Sequence, residues 1–224
     1  MKYWNARIAQ DWTTLYEFAE PDLRTQVSLA QFEQWSRTNE PFDVRSFQMD
    51  HVEVQGDRGW AQVRYAAGLT RFPDAPIREV DHWQKWRLVQ GEWYPVPPRE
   101  LGAYPAAPSL RNASEEAKLL ERFEESWLAR SRRDWKALYR FGDPDDLSRV
   151  SEQQFIAAES LIEHIDHVVD WVEVLGDSGR VRVGYRHRLS DPNLTKLTPT
   201  TLYVIEPWIR RDNEWYRDLD RTLQ

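Results

Sequence analysis

Cysteine is absent from the 224 residues. Disulfides, cysteine-held zinc and thiol nucleophiles are therefore excluded. The absence assigns no compartment, because reducing and oxidising spaces both tolerate a chain without thiols. No apolar run reaches the roughly 18 residues that a membrane-spanning helix needs, so no membrane span is expected. A basic surface is missing too. Residues 1–110 hold 12 Lys+Arg and 15 Asp+Glu, net −3, and the remainder is net −4, giving the overall −7. A nonspecific nucleic-acid binder needs a cationic face to release counterions, so no nucleic-acid partner is expected. The chain also lacks a Gly-rich phosphate loop, a Gly-x-Ser-x-Gly elbow and a His-Glu-x-x-His pair. Tryptophan is what it has in excess, with 12 residues. They fill cores, or line a pocket or interface.

An internal repeat organises the rest. Shifted by 123, Trp4, Ala6, Arg7, Asp11, Trp12, Leu15, Tyr16, Phe18, Pro21, Asp22, Val27, Ser28, Gln31 and Phe32 fall on identical residues between 127 and 155. A shift of 120 aligns Val52-Glu-Val-Gln-Gly-Asp57 with Val172-Glu-Val-Leu-Gly-Asp177, and Tyr65 with Tyr185. A shift of 122 pairs Trp86 with Trp208 and Glu92-Trp-Tyr94 with Glu214-Trp-Tyr216. The chain reads as a first unit at 1–96, a Pro-rich extended connection at 97–113, and a second unit at 114–224.

Each unit opens with helical spacing. In the second, Ser114 caps a helix carrying Ala117, Leu120, Phe123 and Trp127. Asp134 caps a short second helix that Pro144 stops, and Ser151-x-x-Gln154 forms a capping box for a third. The first unit repeats these signals at Asp11, Pro21 and Ser28-x-x-Gln31. The period then becomes two, with strands expected near 47–55, 59–70, 78–89 and 92–96 and at the matching second-unit positions. The fold class is α+β: two tandem cone-like units, each with about three helices followed by a curved antiparallel sheet of about four strands.

The order Trp-x-Ala-Arg, Asp-Trp-x-x-Leu-Tyr-x-Phe-x-x-Pro, Ser-x-x-Gln-Phe, Val-Glu-Val-x-Gly-Asp and a closing Glu-Trp-Tyr resembles bacterial nuclear transport factor 2-like proteins of the accessory type. The resemblance covers both units. It implies cones with a mouth. It leaves open several functions, since the superfamily holds ketosteroid isomerases, scytalone dehydratase, polyketide cyclases and members without known catalysis. Look-alikes often carry an export leader, and only Met1, Lys2 and Tyr3 precede Trp4. Either an upstream segment belongs before them or this unit has a short first helix. The compartment stays open between bacterial cytoplasm and, with a leader removed, the cell envelope.

Two chemistries are legible. In the second unit His187 shares the apolar face of its strand, and Glu206 shares a face with Trp208. A buried carboxylate beside an imidazole would shuttle protons. Tyr139 or Tyr185 would donate to a developing enolate, as the resemblance to isomerases implies. The first unit has Ala67 and Gln84 at those positions. There Tyr16, Tyr65, His82 and Trp86, with Tyr185 and Trp208 in the second unit, suit a small apolar or aromatic ligand. His164 and His167, spaced i, i+3 at a helix end, could chelate, but a helix C-terminus favours His by its dipole; no metal and no cofactor is expected. Arg180, Arg182, Arg186 and Arg188 line an outer sheet face, solvated or paired with a protein partner. The favoured reading is a noncatalytic ligand- or protein-binding accessory protein, built as an intramolecular pseudo-dimer through sheet faces. The second reading is a small-molecule lyase or isomerase using the second cone.

Overall fold

The helix starts are set by side chains that answer the first free amides. Asp11 and Asp134 accept from Thr14 N and Ala137 N, opening α2 (Trp12–Glu17) and α6 (Trp135–Tyr139). Ser28 and Ser151 form complete capping boxes with Gln31 and Gln154, opening α4 (Leu29–Asn39) and α8 (Glu152–Glu159). Pro21 and Pro144 do more than stop a helix. Each takes the first position of a further one, α3 (Pro21–Gln26) and α7 (Pro144–Leu147), where its missing N–H costs nothing. Among the described residues each unit thus has four α-helices instead of three. Their first helices differ: α1 (Lys2–Ala9) has 8 residues and α5 (Ala113–Ser131) has 19. Asn112, not Ser114, caps α5.

The computed structural model describes residues 1–190 and 198–219. It divides into two units, Met1–Ala107 and Pro108–Gln224. In the first, β1 (Phe42–Gln55), β2 (Arg58–Leu69), β3 (Arg78–Val89) and β4 (Glu92–Pro95) form an antiparallel meander in chain order. In the second, β5 (Ile162–Leu175), β6 (Ser178–Leu189), β7 (Thr200–Arg211) and β8 (Glu214–Arg217) do the same. Gly56 and Gly176, both at φ 62, open the first hairpin turn of each sheet, where a side chain would be strained. Both first strands carry two bulges, which add curvature. The expected α+β fold class, helices followed by a four-stranded sheet and done twice, is what forms.

β5 starts well before Val172, because Ile162, Ile165, Val168 and Val169 favour a pleated surface. His164 and His167 therefore lie on a strand, not at a helix end, and form no helical i, i+3 pair.

Each sheet buries one face under its helices. Leu119, Phe123, Val174, Val181, Val183, Tyr185, Trp208 and Trp215 make the second core. Trp4, Val44, Ala61, Val63 and Ala67 make the first, with Trp86 against it. Trp86 and Trp208 thus face the same side of their sheets. The Pro-rich segment is not merely extended. Pro98–Ala103 and Pro108–Leu110 are 3-10 turns. Tyr104 and Ala107 pack on Trp60, whose Nε1 donates to Pro105 O at 2.9 Å. A buried Trp on the outer face needs such a cover and a partner for its N–H. Among the described residues, no helix is long and apolar enough to cross a membrane.

Candidate functional site

In the second unit α5 brings Arg130 under the sheet, opposite Tyr185 of β6 and Glu206 of β7. Arg130 Nη1 donates to Glu206 Oε1 at 3.0 Å and to the Tyr185 hydroxyl. That hydroxyl donates to the same Oε1 at 2.7 Å. Arg217 of β8 approaches Glu206 at 3.8 Å and Glu159 of α8 at 3.5 Å. Glu159 also lies 3.8 Å from Arg130. Two guanidiniums and two carboxylates balance in the interior. Trp127 stacks on Tyr185 at 5.6 Å, and Arg130 lies 4.9 Å over the Tyr185 ring.

This environment sets the protonation states. Burial disfavours the charge on Glu206, but Arg130 and Arg217 outweigh it and hold its carboxyl at about 2. Burial, then Glu206, pushes the Tyr185 hydroxyl well up. Burial, then Arg130, brings His164 down to about 4. At neutral pH the cluster is a fixed carboxylate, a neutral phenol and a neutral imidazole. Glu206 Oε2, Arg217 Nε and His164 Nδ1 are buried without a hydrogen-bond partner in the protein.

His187 does not join Glu206. In register it stands opposite Thr200, six residues along β7 from Glu206. Sharing a face of the strand is not proximity, since each residue advances the chain by about 3.3 Å. The His187 Nδ1 lies 3.2 Å from Tyr185 O instead. Tyr139 is elsewhere as well. Its hydroxyl donates to Val150 O at 2.7 Å, and its ring packs on Phe155. Tyr16 repeats this in the first unit, donating to Val27 O at 2.6 Å beside Phe32. Both tyrosines tie a helix to the chain that follows it. Trp208 is core. Tyr185 is placed with Glu206, as part of the ionic cluster.

In the first unit Tyr65 and His82 do meet, at 5.4 Å between rings, with Trp4 5.0 Å from Tyr65. Trp4 Nε1 donates to Gln84 Oε1 at 2.9 Å. Arg7 pairs with Glu40 at the rim. Burial, then Arg7, lowers the pKa of His82. Trp86 packs edge-on against Tyr3 and Phe18. A separate cleft of about 210 Å³, lined by Asn39, Pro41, Leu69, Arg71 and Phe72, contains none of these residues.

The arginine stripe pairs within its own sheet. Arg180 meets Glu173 at 2.7 Å, Arg186 meets Asp166 at 3.3 Å, and Arg188 meets Glu163 at 2.7 Å. Arg182 meets Asp170. The acids come from β5, across the hairpin.

No protein-family model matches this chain. No curated protein matches it either. Solved structures do. One is a SEC-C motif containing protein from Rhodopseudomonas palustris, 17% identical, covering 42% of this chain and 68% of that one, at a TM-score of 0.32. Another is an Ntf2-like protein involved in plasmid conjugation, 12% identical, covering 95% of this chain and 91% of that one, at a TM-score of 0.33. Superpositions this loose carry no functional argument, and the fold rests on the element order described above.

Proposed function

We propose that this chain is a noncatalytic binding protein of the nuclear transport factor 2-like accessory kind. One observation carries the reading. The buried carboxylate of the second cone is locked between Arg130, Arg217 and the Tyr185 hydroxyl, so it has little basicity left. A general base works best with a pKa near the operating pH, and a carboxyl held at about 2 is far from it. His187, the second half of the expected proton shuttle, hydrogen-bonds a main-chain carbonyl instead.

A lyase or isomerase of the kind the fold hosts must remove a proton from carbon. The test is deuterium wash-in at the α-carbon of a panel of enolisable ketones and β-hydroxy carbonyl compounds, followed by proton NMR. The expected result is exchange no faster than buffer, identical for the native chain, Glu206→Gln and His187→Ala. Exchange that is faster than buffer and lost in either variant would establish the lyase or isomerase reading.

A further inference from the structure

A cleft opens at the end of the first sheet where Phe42 pairs with Leu69, far from the Gly56 turn. One wall is the junction of α4 and β1, with Asn39 and Pro41. The other is the end of β2 and the turn after it, with Leu69, Arg71 and Phe72. Thr70 N donates to Pro41 O at 3.0 Å and ties the two walls together. Phe72 N donates to Leu69 O at 3.0 Å, and Ala75 N to Phe72 O at 2.9 Å, so the turn folds back on its own strand. Main chain shapes the cleft, and its lining side chains are spared that task.

Its volume is about 210 Å³. A cavity of ~150 Å³ takes up benzene, so one aromatic ring with a short substituent would fill this one. The lining is chiefly apolar, yet Leu69 and Phe72 are 41% and 66% exposed. Arg71 is the one charged residue of the lining. Glu40, between Asn39 and Pro41 in the chain, is held by Arg7, and Asp43 by Arg45. Among the described residues Arg71 has no ion pair, and Asp74, three residues on, has none either.

The fold does not ask for this cation and this ring. By the shift of 120 that aligns Tyr65 with Tyr185, Leu69 falls on Leu189, but Arg71-Phe72 falls on Asp191-Pro192. The leucine is repeated, and the pair beside it is not. A guanidinium presents a planar fork that matches a carboxylate with two parallel hydrogen bonds. The C-terminal end of α4, on the opposite wall, disfavours an anion, so an acid in the cleft is driven towards Arg71.

We propose that this cleft binds a small aromatic carboxylate, with its ring against Pro41, Leu69 and Phe72 and its acid on Arg71. This rests on the binding reading proposed above, and the two fail separately. Proton exchange in the second cone would overturn the noncatalytic reading and leave occupation of the cleft unchanged.

The probe is phenylacetate, with 2-phenylethanol as an uncharged control of similar size and 2-phenylethylamine as a cationic one. Each is titrated into the full chain by heteronuclear NMR. The expected result is phenylacetate shifts centred on Asn39, Leu69, Arg71 and Phe72, at about millimolar affinity, as a ligand of about ten heavy atoms allows. Phenylacetate should bind about threefold or more tighter than the alcohol, with the amine weakest. Rising salt should narrow that preference. Arg71→Gln should bring phenylacetate down to the level of the alcohol, and Phe72→Ser should weaken both. Both side chains are exposed, so circular dichroism should show the fold intact in each variant. Four results would overturn the proposal. They are no shift at about tenfold the expected dissociation constant, shifts centred on Tyr65 and His82, a carboxylate preference that survives Arg71→Gln, and shifts of the cleft residues with protein concentration alone. The last, if lost in Phe72→Ser, would give the cleft to a second copy of the chain.

Discussion

The two units share a frame and disagree about its interior. Both keep the capping boxes, the tyrosine tied to a carbonyl eleven residues on, and the bulged first strand. Both keep an arginine on the first helix on the same side of the sheet as a tyrosine of the second strand, Arg7 with Tyr65 and Arg130 with Tyr185. One has Gln84 where the other has Glu206. With the amide, Trp4 donates to Gln84 and Arg7 turns to Glu40 at the rim. With the carboxylate, Arg130 stays inside and a second guanidinium, Arg217, comes with it. A buried charge must be answered by others, so one residue type in β7 reorganises helix, sheet and last strand together. The local ties that set element order are indifferent to that choice, and they are what both units retain.

The sharpest way to break this comparison is to remove one guanidinium from each unit. Arg130→Met strands Glu206 in the core and should cost about 3–5 kcal/mol. Arg7→Met releases Glu40 to water and should cost about 1 kcal/mol. Adding Glu206→Leu to Arg130→Met should recover much of the loss. Denaturant unfolding followed by tryptophan fluorescence reads all three. Equal losses from the two single variants would show that the second interior is no more charge-dependent than the first. Leu119→Ala comes next, at about 2–5 kcal/mol. It removes a fully buried side chain from over Val174 and Gly179 and makes the second unit resemble the first. Increased binding of an apolar dye should accompany it.

Acid separates the units less sharply. His164 has its pKa brought from 6.5 to about 4 by burial and by Arg130. Glu159, Glu206 and His187 also act on it. Folding therefore disfavours its protonation. The stability it contributes is complete above pH 6.5 and is lost as pH falls towards 4, on the order of 2 kcal/mol. Glu206, brought from 4.5 to about 2, contributes stability that is complete above pH 4.5 and is lost on the way to 2. His82 gives the first unit the upper window, through burial, but Gln84 gives it no carboxylate window at this position. Circular dichroism against pH should show Glu206→Gln flattening the Glu206 part of the second unit's loss below pH 4.5 and deepening the decline that His164 drives, because Glu206 no longer holds the imidazole pKa up.

Much of this was legible because the chain states its frame twice. Duplicated caps and a duplicated change of period mark elements that depend on neighbours in sequence. What sequence missed depends on neighbours across the sheet. Glu206 and His187 share a face, and nothing in their alternation says that they sit six positions apart in register. Tyr139 carries the residue type a site needs, but its hydroxyl belongs to Val150. Arg130 is legible only through its twin Arg7, which stands among the matched positions. An arginine kept in both copies beside a buried Trp was a signal of an inward charge. The arginine stripe showed its alternation, and its acids lay out of phase because β5 is bulged between His164 and Asp166 and between Val169 and Trp171.

That stripe yields the smallest expected effect, and it sharpens the comparison between faces. Arg186 and Asp166 are about half exposed and 3.3 Å apart. Water screens such a pair, and holding two long side chains in place costs entropy, so Arg186→Ala should change stability by no more than about 0.5 kcal/mol. Arg180 lies in the same stripe, but its partner Glu173 is 2% exposed and its guanidinium lies over Trp171. Arg180→Ala leaves a carboxylate out of reach of water and removes cover from an aromatic ring, so it should cost several times more. The ratio of the two losses, measured at low and high salt, separates burial from charge. Salt should erase the Arg186 effect and leave most of the Arg180 effect. A stripe in which both respond alike would act as one solvated charge ladder, and the buried end around Trp171 would have no separate role.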